Sequence, residues 1–259
     1  RAISVAVTVA WLPMGFYFVA GMNPSSWAMT GTFAFATGLL AATRSVGARR
    51  VGLIACAAAG AVLACTSRGD SAFFLFVITV ALAFAVPISK RIVPEAALAC
   101  VSSIVGIWVM ARTNVAASHL GSGNEMAGYS LSHILWLNVL SLPTYLRGFV
   151  GHGLGPGWND VSYRGTVSFG ASLVVLAVLC WSLRSLTWRK ALSAITVFGA
   201  ITGVPVVIGL RGHFNNVHVY QPRYMLPLFA VFLLMLLAPS PTRASDGRWV
   251  GSEAFRFPT

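Results

Sequence analysis

Charge is what this sequence has least of. Only 9% of its 259 residues are Asp, Glu, Lys or Arg, and just six are acidic. A soluble globular domain carries about 25%, and 57% hydrophobic residues with a mean hydropathy of +0.77 exclude that class. The same apolar content excludes a disordered chain, and glycines without a strict period exclude a collagen-like one. Eighteen Lys and Arg leave a net charge of +12. In a soluble protein that surplus would point to nucleic acid. Here the basic residues fall between apolar runs, so membrane topology accounts for them and no nucleic-acid partner is implied. Cysteine is also scarce: Cys56, Cys65, Cys100 and Cys180 sit in apolar stretches, with no CxxC pair and no His at ligand spacing. They read as small buried hydrophobes, with no metal site among them.

What the sequence has is long apolar runs. A bilayer core needs roughly 20 such residues in a helix, and eight stretches approach that length: Ile3 to Ala20, Trp27 to Ala42, Val51 to Cys65, Ala72 to Ile88, Ile92 to Ala111, Thr166 to Leu183, Ala191 to Leu210 and Tyr224 to Ala238. The expected fold is an all-α, polytopic transmembrane helical bundle of about eight spans over residues 1–239, followed by a polar, mobile tail over 240–259. The third run is short and rich in Ala and Gly, which suits close packing among other helices. Placing Arg1 in the cytoplasm puts twelve Lys and Arg on that side and six on the other. Cytoplasmic loops are the basic ones, so both ends of this chain are expected inside a cell membrane. An apolar run begins directly at Arg1 with no cleavage-site pattern after it, which reads as the C-terminal part of a longer protein.

A ninth candidate, Ser130 to Leu146, carries Ser130, His133, Asn138, Ser141 and Tyr145 along one side. Were it to span, the basic loop Arg184 to Lys190 would face outward. It is therefore read as an amphipathic helix on the outer leaflet, polar face toward water and Leu131, Leu135 and Leu142 toward lipid or protein. It belongs to an outer loop of residues 112–165, too long for a mere connector.

The candidate functional residues gather on this outer face. Asn23-Pro24 forms the first outer turn, where Asn caps and Pro starts a helix. Arg68 and Asp70 share the second, as an ion pair and helix cap or as a polar contact for a ligand. Glu95, four residues after Arg91, suggests an interfacial salt bridge on the other side. The long loop ends in Gly151-His152-Gly153-Leu154-Gly155-Pro156-Gly157-Trp158-Asn159-Asp160, without a Walker Lys-Ser/Thr or dinucleotide spacing; it reads as a tight turn carrying Trp158 to the interface. The last outer loop runs from Arg211 through His213 and His218 to Arg223 and Tyr224. Arg at a water boundary can simply snorkel, yet a guanidinium fork binds phosphate bidentately. Two of them beside aromatics make a cradle for a lipid-linked phosphate.

Several segments together resemble the DUF2142 family of bacterial membrane proteins common in actinobacteria. They are Leu12-Pro13-Met14, then Gly21-Met22-Asn23-Pro24-Ser25-Ser26, then Gly153-Leu154-Gly155-Pro156-Gly157-Trp158-Asn159-Asp160, and finally Gln221-Pro222-Arg223-Tyr224-Met225-Leu226-Pro227, where the family usually has Gly in place of Pro222. The resemblance implies a fold similar to GT-C glycosyltransferases, which use polyprenyl-phosphate sugars at the outer face. Such enzymes carry an acidic Asp-Glu motif in their first outer loop. Nothing here matches it, so the catalytic base is assigned to no residue of this chain.

The leading functional expectation is a membrane glycosyltransferase moving a sugar from a polyprenyl-phosphate donor onto an envelope glycan or lipid. Arg211, Arg223, His213 and Tyr224 would bind the donor, with Arg68 and Asn23 as further contacts. Asp70 or Asp160 would be a polar contact or the ligand of a divalent metal. An O-antigen ligase or polymerase-like enzyme is the second reading, suggested by Thr66-Ser67-Arg68-Gly69 before an apolar helix and by the long loop. A transporter of envelope lipids comes third, because Glu95 is the one acid within a span and no internal repeat is visible.

Overall fold

The computed structural model describes residues 2–11, 15, 24–112, 126, 128–151, 163–215, 220–238, 241–243 and 249–251. Nine α-helices order these residues: α1 (Ala2–Ala10), α2 (Pro24–Ala42), α3 (Gly47–Ser67), α4 (Gly69–Ala85), α5 (Val93–Arg112), α6 (Leu131–Arg147), α7 (Gly165–Leu183), α8 (Trp188–Gly212) and α9 (Leu226–Leu237). Three-residue strands Pro241–Arg243 and Trp249–Gly251 pair antiparallel in the tail. The protein is an all-α membrane bundle. Seven of the eight expected spans coincide with α2 to α5 and α7 to α9; the first is described only over α1, at Trp11 and at Gly15.

Length and composition suffice for crossing a membrane in four helices, Gly47–Ser67, Lys90–Arg112, Gly165–Leu183 and Trp188–Gly212, while Gly69–Ala85 and Pro222–Leu237 are apolar but shorter. Helix α9 shows why shortness does not disqualify it from the bundle. All but one of its 12 residues are buried, and a helix that is apolar all round belongs at a centre. It packs against α1, α2 and α8.

Close packing of α3 against α2 explains the Ala- and Gly-rich composition of α3. A Cβ on Gly31 would lie 2.7 Å from the Gly60 carbonyl, and one on Gly60 would lie 2.7 Å from the Gly31 carbonyl. Only glycine at both positions lets the backbones meet. That face buries Ala57, Gly60, Ala61 and Ala64, while Val51 and Val62 are 67% and 64% exposed on the other side.

The chain's two ends of the bundle are set by polar contacts. At the first, hereafter the basic end, Arg50 Nε donates to Glu95 Oε1 at 2.7 Å. Arg91 donates to the Ser45 carbonyl at 2.7 Å, and Arg189 donates to the Phe84 and Val86 carbonyls at 2.9 and 3.2 Å. The expected Arg91–Glu95 pair is thus replaced: Glu95 faces α3, where Arg50 is nearer, and Arg91 reaches over to the α2–α3 turn. Exposed Trp27, Trp108 and Trp136 sit toward the opposite end and Trp181 and Trp188 toward the basic one, as interfacial indoles do. The cysteine expectation fails as well. Cys56, Cys100 and Cys180 are exposed and Cys65 half-buried, all four free, because the bilayer rather than the bundle covers an apolar thiol.

Candidate functional site

Helix α6 forms at the expected place, and its hydroxyl cap is visible: the Ser130 Oγ accepts from the His133 amide at 3.3 Å. Its orientation differs from expectation at two polar residues. Asn138 and Tyr145 are fully buried, whereas Leu131, Leu135, Trp136 and Leu140 are 60%, 42%, 61% and 55% exposed. Asn138 and Tyr145 therefore turn toward protein rather than water, while Ser141 is half-buried and Ser130 and His133, at the start of the stripe, are exposed. Asn138 donates to the Phe214 carbonyl at 3.0 Å, Asn215 to the Ser141 hydroxyl at 3.0 Å and Tyr145 to the Gln221 carbonyl at 3.3 Å. Residues 213–215, 220 and 221 lie outside any helix, their carbonyls need donors, and α6 supplies those of Phe214 and Gln221.

The segment that α6 holds leads into a buried polar network. The Asp70 carboxylate accepts Arg68 Nε at 3.0 Å and the Ser71 amide at 2.9 Å on one oxygen, and Arg68 Nη2 at 2.5 Å and the Tyr220 hydroxyl at 3.0 Å on the other. Arg68 Nη1 donates to the Ser25 hydroxyl at 3.1 Å. The side chains of Arg68 and Asp70 are 16% and 7% exposed. Burial is the largest influence on Arg68 and opposes its charge, yet Asp70, with Tyr220 and Tyr224 beside it, holds the guanidinium pKa above its ordinary value. Burial first, then the Asp70 charge, push the Tyr220 phenol well above its ordinary range, so it stays protonated and donates.

Around this network the guanidiniums of Arg68 and Arg223 lie 4.2 and 5.1 Å from the Tyr224 ring centroid. Arg223 also donates to the Tyr224 hydroxyl at 3.3 Å. Of the residues the sequence suggests, then, Arg68, Asp70, Arg223 and Tyr224 come together. Arg68 and Asp70 are engaged with each other, so their role is to fix this segment in place.

Arg211 and His213 form a second group. They line a cavity of about 460 Å³ together with Leu131, Ser132, Leu135 and Leu210. His213 caps α8 in the left-handed region with φ of 52°, a conformation that non-glycine residues adopt at a cost. Its Nδ1 is buried and has no hydrogen-bond partner among the described residues. Asn23, Asp160, His218 and Trp158 lie outside the described residues. Among the described residues no group of three His, Cys, Asp or Glu converges as a metal site would require.

Tyr220, Gln221, Tyr145 and Asn138 are the residues that sequence reasoning left without a role. The signal for two of them was present, since Asn138 and Tyr145 share the stripe of α6. Tyr220 pairs with a residue 150 positions away, and no local pattern announces that.

A family model described as "Predicted membrane protein (DUF2142)" matches residues 1–233. No curated protein and no solved structure matches the chain. The resemblance noted in the sequence thus holds over nearly its whole length, and the chain belongs to the DUF2142 family of membrane proteins.

Proposed function

We propose that this protein handles a lipid-linked phosphate sugar at the end of the bundle where α6 lies, as a GT-C-like glycosyltransferase acting on a polyprenyl-phosphate donor. The observation that carries the reading is the cavity shared by α6 and the end of α8. Leu131, Leu135 and Leu210 offer an isoprenoid an apolar wall, and Arg211 and His213 offer its phosphate donors at the same place. A guanidinium presents two parallel N–H groups to phosphate, and His213 lines the same space. The Arg68–Asp70–Tyr220 network anchors the neighbouring segment, so that Arg223 and Tyr224 are positioned without needing the ligand to order them.

The test is transfer from a polyprenyl-phosphate sugar by the purified protein in lipid, with retention of polyprenyl phosphate measured alongside. Arg211→Lys should weaken both by about 10- to 150-fold, the equivalent of one lost charge-assisted hydrogen bond. Unchanged retention and turnover would refute the phosphate role. Retention lost in the variant, with no transfer by the wild type, would keep the phosphate site and move the protein to the transporter class.

A further inference from the structure

The way α8 ends puts two residues of the α6–α8 cavity on one side. Side chains two positions apart in a helix point in opposite directions, so Arg211 and His213 would not share a wall if α8 simply continued. It stops at His213, whose φ of 52° turns the chain back. The amides of His213 and Phe214 both donate to the Gly209 carbonyl, the second at 3.1 Å. Glycine is the usual residue at the left-handed position of such a cap. A histidine persists there only where its surroundings over-determine the backbone.

Two bonds from outside α8 do this. The Met126 amide donates to the His213 carbonyl at 3.0 Å. Asn138, fully buried in α6, donates from Nδ2 to the Ile134 carbonyl of its own helix at 2.9 Å and to the Phe214 carbonyl at 3.0 Å. Phe214 is 1% exposed, so water does not take over that carbonyl when the donor is lost. The same amide rests directly on α8: a Cβ on Gly209 would fall 2.6 Å from Asn138 Oδ1 and 3.0 Å from its Nδ2. Gly209 thus makes room for Asn138, and Asn138 fastens the residue that follows the turn.

On the reading that Arg211 and His213 hold a lipid-linked phosphate, we infer that Asn138 is a positioning residue of that site: by holding the Phe214 carbonyl it fixes the left-handed turn that carries His213 to the side of Arg211. Asn138 is not part of the cavity wall and acts through the turn alone. A bond needed only for folding would lower stability and leave the ligand affinity of the folded protein untouched. A positioning bond moves that affinity, and moves it through His213.

The experiment is retention of polyprenyl phosphate by the full chain purified in lipid, read beside the thermal midpoint, for Asn138→Leu, His213→Gly and the two combined. Leucine keeps the branching of the side chain and removes the donor. His213→Gly should melt no lower than wild type, since glycine enters the left-handed region freely, yet retain the lipid about tenfold less well. Asn138→Leu should weaken retention by about the same factor, and the double variant should lose no more than His213→Gly alone, because both substitutions remove one interaction. Gly209→Ala, which pushes the Asn138 amide aside, should act like Asn138→Leu and replaces it in both backgrounds if the leucine variant does not fold. Wild-type retention in Asn138→Leu, Gly209→Ala or His213→Gly would overturn the positioning role. So would losses that multiply in the double variant, which would mean a route other than His213. Retention lost in Arg211→Lys but intact in Asn138→Leu refutes the positioning role and spares the phosphate site, whereas retention unmoved by Arg211→Lys refutes both.

Discussion

At the scale of single residues, Asp70 matters most because all four of its acceptances are internal. Asp70→Asn removes the countercharge of a guanidinium that is only 16% exposed. Breaking such a pair typically costs about 3 kcal/mol or more, so the variant should melt several degrees lower in detergent, and an unchanged midpoint would deny the network its anchoring role. Tyr220 gives a pH test of the same network. Its phenol is held above the ordinary value of 10.0 by burial and by Asp70. A raised folded-state pKa means that stability is intact below the unfolded value and is lost as pH climbs past it. The melting temperature should therefore hold from neutral pH to about pH 10 and fall beyond it, and Tyr220→Phe should flatten that fall. Arg223 belongs to this scale too. Its guanidinium pairs with the Tyr224 ring and hydroxyl; if it also contacts donor phosphate, Arg223→Lys should lower donor affinity by about 10-fold or more, since an ammonium lacks the planar fork. Equal donor affinity in wild type and variant would leave it an interfacial anchor.

Single elements show what sequence could and could not reveal. Helix positions were legible, because apolar runs between basic turns leave little choice within a bilayer. The Pro24 start of α2 was legible as well, being local chemistry, whereas the cap that Ser130 makes for α6 was read only as part of a polar stripe. Direction was not. The polar stripe of α6 has the same period whether it meets water or the carbonyls of residues 214 and 221, and only the fold decides between them. Likewise Glu95 had a basic neighbour in sequence, yet took Arg50 from another helix. The packing of α2 on α3 was legible only as composition, since Gly31 and Gly60 become partners in space alone. Gly31→Val should separate the two helices, because a Cβ there already lies 2.7 Å from backbone atoms that cannot give way. Overpacking of this kind costs about 1 to 3 kcal/mol. A valine variant as stable as the wild type would contradict the closeness of that contact.

Over the whole molecule, the placement of α6 decides the topology of everything after it. If α6 crossed the membrane, α7 and α8 would be inverted, and the loop with Arg184, Arg189 and Lys190 would leave the side that holds Arg44, Lys90 and Arg91. Two observations oppose crossing. Arg189 from that loop is bonded to the carbonyls of Phe84 and Val86, which places it with the other basic turns. Asn138, Ser141 and Tyr145 of α6 find polar partners at Phe214, Asn215 and Gln221, which belong to the stretch joining α8 to α9. A helix running alongside α8 through the bilayer would instead meet partners distributed down its length. The check is labelling with a membrane-impermeant maleimide, after Cys56, Cys65, Cys100 and Cys180 are replaced by alanine. Cysteines at Ser132 and Thr144, near the two ends of α6 and both exposed, should react from one side of the membrane, and a cysteine at exposed Ser185 only from the other. From the excess of Lys and Arg, the prediction is that Ser185 reacts from the cytoplasmic side. Reaction of Ser132 and Thr144 from opposite sides would make α6 a span, and reaction of Ser185 from outside would reverse the assigned orientation.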